Sequence, residues 1–218
     1  MYRQIKELVR KDLLLEWRQK TSFYGMLLYL VSTIYLCYLI FNGIIEPNTW
    51  VALFWIIMIF SSVNAAGRSF EQEATKRYLF FYVIAKPEAI IISKLIYNTL
   101  IMSVLSLVSY AMYSFFLGNQ IENHSLFLLA IVLGSSGFSS VLTMVSAIAS
   151  KTSNNATLMA ILSFPVLVPL LMILVRLSRN AMNGLDWSYS WPYALALLLI
   201  NLMVIGLSYI LFPYLWKD

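Results

Sequence analysis

The chain has 218 residues, 61% of them hydrophobic and only 11% charged, with a net charge of +5. A water-soluble domain carries about a quarter of its residues as charges, so too few polar side chains are present to cover a water-exposed surface, and a large soluble domain is excluded. The basic residues sit beside apolar runs instead of forming a basic domain, which argues against nucleic acid and for membrane lipid headgroups as their partner.

Residues 1–20 read as a charged amphipathic helix. Tyr2, Ile5, Val9 and Leu13 recur at helical spacing, Leu8 and Trp17 widen the stripe, and Arg3, Lys6, Arg10, Lys11 and Arg18 are interleaved. That pattern suits an interface helix with its apolar side in the headgroup–acyl boundary; a short helix packed on a partner is the alternative. The first long apolar run, 22–42, is too long for the core of a cleavable signal and lacks a small-residue exit, so it is expected to stay as a span.

Five further runs follow, at 49–66, 89–117, 125–149, 157–178 and 193–214. A helix needs about 20 apolar residues to cross a core of about 30 Å. Six such helices use nearly all of 1–218, which predicts an all-α integral membrane protein with a single transmembrane domain. Lys94 lies one turn into the long third run and is expected to snorkel to the interface.

With the N-terminus inside, thirteen of the fifteen Lys and Arg residues fall on the inner side, and only Arg176 and Arg179 fall outside. The positive-inside rule therefore predicts cytoplasmic N- and C-termini. The inner segment 67–88 is longer than a mere connection requires. It begins with charges, Arg68, Glu71, Lys76 and Arg77 around Phe70, and ends at Pro87. A short cytoplasmic helix that docks a soluble partner is expected there, with a solvated linker as the alternative.

The remaining chemistry is sparse. No phosphate-binding loop is present, so any nucleotide belongs to another chain. A single cysteine, Cys37, and a single histidine, His124, give neither a disulfide nor a catalytic array, and no catalytic or metal site is expected. His124 in a predicted outer loop can serve as an iron ligand or be simply solvated. Trp187 and Trp191, with Arg176 and Arg179 nearby, can stack on a porphyrin and pair with its propionates, or form an interfacial belt. Ser135 with Ser139, and Ser136 with Ser140, have small-xxx-small spacing, which suits either packing within the chain or a dimer seam. Pro165 and Pro169 predict a kink in the fifth span. No Asp or Glu occupies the middle of a predicted span, which weighs against a proton- or sodium-coupled carrier.

Several groups of residues appear in a telling order. They are Lys11-Asp12 with Glu16-Trp17-Arg18, then Arg68 to Glu71 running on to Ala85-Lys86-Pro87 and Lys94. Leu133-Gly134 through Gly137-Phe138 come next, then Ala156, Leu158, Ile161-Leu162, Pro165 and Pro169-Leu170-Leu171. In this order the chain resembles the ABC-2 type of transporter permease, and more closely haem exporter protein B, the CcmB family of cytochrome c maturation.

The resemblance implies a permease subunit of the bacterial inner membrane that is not itself an enzyme. It implies a second copy of the chain and a separate cytoplasmic ABC ATPase holding the ATP. Arg68, Phe70, Glu71, Lys76 and Arg77 are then the coupling residues. It further implies a haem-handling membrane subunit and a periplasmic haem chaperone as partners, with haem as a substrate and no cofactor bound by this chain. The work done is haem export or release of the loaded chaperone. An ABC-2 permease for a lipid-linked glycan, drug or peptide, and a non-transporting scaffold, are the other readings.

Overall fold

The computed structural model describes residues 1–18, 21–74, 86–149 and 155–217, and within these the side chains of all but 21–22, 66–74, 155–157, 160 and 216–217. Among the described residues the chain forms seven helices. They are α1 (Tyr2–Arg18), α2 (Thr21–Phe41), α3 (Pro47–Ala74), α4 (Pro87–Leu117), α5 (His124–Ala149), α6 (Asn155–Met182) and α7 (Trp187–Lys217). The six from α2 onward are long and apolar enough to cross a membrane. An even number of crossings brings α1 and the end of α7 to the same face, here called the near end. The turns after α2, α4 and α6 form the far end.

The spans follow the hydropathy, because in lipid a helix satisfies its own backbone groups. Their ends follow local chemistry. Proline opens α3 and α4, where its missing N–H costs nothing. Gly118 closes α4 with φ 78°, a conformation that L side chains rarely adopt. Two helix boundaries differ from the sequence expectation by more than four residues. The sixth span begins at Trp187, six residues before the expected 193, so Trp187 and Trp191 belong to the opening turns of α7 and not to a loop. The helix of the second span outlasts it: α3 runs on to Ala74, so Arg68, Phe70 and Glu71 lie on a direct extension of the span.

Helix α5 is the hub. Its span is 72% buried, against 17% for α2, and it packs on α3, α4, α6 and α7. Close approach explains its glycines. A Cβ on Gly134 would lie 2.7 Å from the Trp55 ring, and one on Gly137 would lie 2.5 Å from Leu170 Cδ1. Trp50, Phe54, Tyr113 and Phe127 form a ring cluster beside this hub, the Trp50 and Tyr113 centroids 4.7 Å apart. Trp55 buries its indole and donates to Ser178 Oγ at 2.9 Å.

The serines of α5 face inward. Ser135, Ser139 and Ser140 are each 1% exposed, and Ser136 is half-buried. They pack within the chain, which leaves little of this stripe for a second copy. Pro165 and Pro169 are both exposed, one turn apart on the outer face of α6, and α6 remains one continuous helix through them.

Candidate functional site

The near end gathers the charges that the sequence scattered. Asp12 and Glu16 are four residues apart on α1, hence on one helical face. Lys94 and Tyr97 are three apart on α4 and lie opposite. Lys94 Nζ sits 3.2 Å from Asp12 Oδ2, the two side chains being 5% and 6% exposed, and Lys11 Nζ sits 3.1 Å from Asp12 Oδ1. One turn further along, Tyr97 donates its hydroxyl hydrogen to Glu16 Oε2 at 2.9 Å. Leu8 adds an apolar contact to the cluster of Ile90, Ile91, Leu95, Ala147 and Phe212. Helix α1 is thus strapped alongside the first turns of α4.

This corrects the expectation for Lys94. It does not snorkel to water; it is 4% exposed and neutralised by Asp12. Reaching water would leave the buried Asp12 carboxylate with only the partly exposed Lys11 as a partner, and removing one partner from a buried ion pair is costly. The expected apolar stripe of α1 is divided by the same strap. Ile5 and Val9 are half-buried on the protein side, whereas Tyr2, Leu13 and Trp17 stay exposed.

From Lys94 a line of polar contacts climbs the interface between α4 and α5. Asn98 Nδ2 donates to Thr143 Oγ1 at 2.8 Å, Thr99 Oγ1 to Ser139 Oγ at 3.1 Å, and Ser103 and Ser135 share a bond at 3.1 Å. Asn201 of α7 donates to Leu133 O and to Ser136 Oγ, both at 3.0 Å. Hydrogen bonds of this kind join helices in hydrocarbon, where apolar surface alone does not. Three of the four expected serines, Ser135, Ser136 and Ser139, are members of this network.

Three of the five coupling residues expected from sequence fall at the same end. Arg68, Phe70 and Glu71 lie on the α3 extension, with side chains outside the described set, and Lys76 and Arg77 lie outside the described residues. The chain is described again at Lys86, directly before α4.

At the far end lie the residues of the haem-related expectations. Both ring nitrogens of the exposed His124 face neighbours, Nδ1 to the Tyr110 hydroxyl at 3.1 Å and Nε2 to Asn119 Nδ2 at 3.4 Å. Arg176, Arg179, Trp187 and Trp191 are exposed on α6 and α7. These residues share one end of the molecule. Among the described residues no group of three or more His, Cys, Asp or Glu side chains gathers to hold a metal.

Sequence reasoning missed the strap. The signal was present as a lysine inside an apolar run and two acids one turn apart on a neighbouring amphipathic helix, but nothing in one dimension pairs them.

A family model described as CcmB protein matches residues 3–212. Comparison with curated proteins finds no match.

Proposed function

The chain belongs to the CcmB family, and from that premise we propose that it couples ATP hydrolysis on a separate ATPase to haem export or to release of a haem-loaded chaperone. Membership makes it a membrane component of the haem exporter ABC system, a multi-pass permease that is not itself catalytic. The finer assignments are ours: the near end faces the cytoplasm of a bacterial inner membrane, and residues 67–88 seat on the ATPase. A second copy of the chain, a haem-handling membrane subunit and a periplasmic haem chaperone complete the assembly.

The observation that carries the coupling role is mechanical continuity. Helix α3 continues past its apolar span to Ala74, and the chain resumes at Lys86 immediately before α4. Helix α4 has 31 residues, roughly 46 Å at 1.5 Å per residue, so it outreaches a core of about 30 Å. A push on 67–88 therefore enters two long, stiff helices. The Asp12–Lys94 pair carries α1 with α4, and the polar contacts from Asn98 to Ser103 pass displacement to α5. In this mechanism the chain binds no nucleotide and moves no proton; its residues transmit displacement.

Charge reversal at Arg68, Lys76 and Arg77 tests the reading. Pull-down of the co-expressed ATPase should fall at least several-fold while membrane insertion is retained. Unchanged recovery removes the docking assignment. Loss of holo-cytochrome c in cells lacking the gene tests the substrate, and normal cytochromes would leave the ABC-2 permease for another substrate as the better account.

A further inference from the structure

The strap leaves one face of α1 uncovered, and that face is divided along its length. Arg3, Lys6 and Arg10 occupy it in the first half, and Leu13, Leu14 and Trp17 in the second. The spacing of 3, 6, 10, 13 and 17 keeps these side chains on one side of a helix. All are exposed, Trp17 by 77% and Leu14 by 52%.

The apolar half opens into a groove of about 280 Å³ between α1, α2 and α4. Leu13, Trp17, Phe23, Tyr24, Ile101 and Val104 line it, together with Glu16, whose carboxylate is engaged by the Tyr97 hydroxyl. Phe23 opens the first membrane span, so the groove begins where headgroups give way to acyl chains. From Arg10 to Trp17 is seven residues, about 10 Å along the helix axis.

We propose that this groove binds one anionic phospholipid, its acyl chain against Trp17, Tyr24, Ile101 and Val104 and its phosphate at Arg10. Charge complementarity selects the occupant. A second copy of the chain or a partner span would match only the apolar half and would set its own apolar surface against Arg10. An acidic soluble protein would match only the basic half. An anionic amphiphile matches both halves in their observed order, and Trp17 and Tyr24 are the residue types that favour this depth.

The test uses the full-length chain in nanodiscs containing equal phosphatidylglycerol and phosphatidylcholine, released into detergent and weighed by native mass spectrometry. The wild type should retain one phosphatidylglycerol in preference to phosphatidylcholine. Val104→Trp, which fills the groove, and Arg10→Glu, at an exposed position, should each lower that retention at least five-fold while helix content by circular dichroism stays the same. Equal retention of the two lipids overturns the proposal, as does phosphatidylglycerol retention that neither substitution changes. A dimer mass that Val104→Trp dissociates would assign the groove to a second copy and overturn it too.

Discussion

The two ends of the bundle are held by different physics. At the far end, ring packing and loop-to-loop hydrogen bonds share the load. Trp50, Phe54, Tyr113 and Phe127 pack against one another, mostly edge to face, Gln120 Nε2 donates to Ile45 O at 2.7 Å, Trp50 Nε1 to Gly118 O at 3.1 Å, and Asn123 N to Ala181 O at 2.9 Å. At the near end, the polar attachment of α1 is concentrated in Asp12–Lys94 and Glu16–Tyr97. Distributed packing resists displacement of any one helix, because every neighbour must yield. A strap made of a few directional contacts moves as a unit with the helix it grips. In the mechanism proposed above, the near end receives the push and the far end holds the frame against it.

Substitutions can break this contrast or sharpen it. The largest effects are expected from Lys94→Met and Trp50→Ala, each costing roughly 3–5 kcal/mol of stability, the first by leaving Asp12 without its Lys94 partner and the second by opening a cavity among rings. Denaturation in mixed micelles should show similar losses. Only Lys94→Met should be largely rescued by a second change, Asp12→Leu, because removing both charges removes the desolvation cost. Failure of that rescue would mean that the pair does more than neutralise itself.

Tyr97→Phe should follow at about 1.5–3 kcal/mol, the worth of a hydrogen bond to a charged group. It should lower the stimulation of the partner ATPase without lowering ATPase recovery in a pull-down. A far-end substitution of equal cost, such as Gln120→Ala, should leave that stimulation unchanged. Equal effects from both would erase the division of labour between the ends. The smallest change is expected for Ser103→Ala, about 0.6 kcal/mol, typical of one hydrogen bond between helices in lipid. A loss several times larger would indicate that the polar line from Asn98 to Ser135 acts cooperatively.

Much of the architecture was legible without coordinates. Six spans, the amphipathic first helix and the small-residue character of α5 were all read from the order of residues. The strap was not. Lys94 was expected to reach for water because a lone lysine near a span end commonly does so, and only the position of α1 shows that Asp12 meets it first. The aromatic segment at Trp187 to Trp191 reads as loop in one dimension, since interfacial Trp and Tyr look alike on a loop and on a first helical turn. Pro165 and Pro169 were legible as prolines within the fifth span, but not that both face outward on α6.

Residue order determined which segments lie in hydrocarbon and that both termini share a side, because a backbone in lipid must pair with itself and so a long apolar run has one outcome. The tertiary structure decided which face of each span is inner and which charges meet. Lipid is as apolar as a protein core, so hydropathy does not distinguish the packed side of α5 from the lipid side of α2. The acids of α1 and the lysine of α4, about eighty residues apart in sequence, become partners only when those helices are laid side by side.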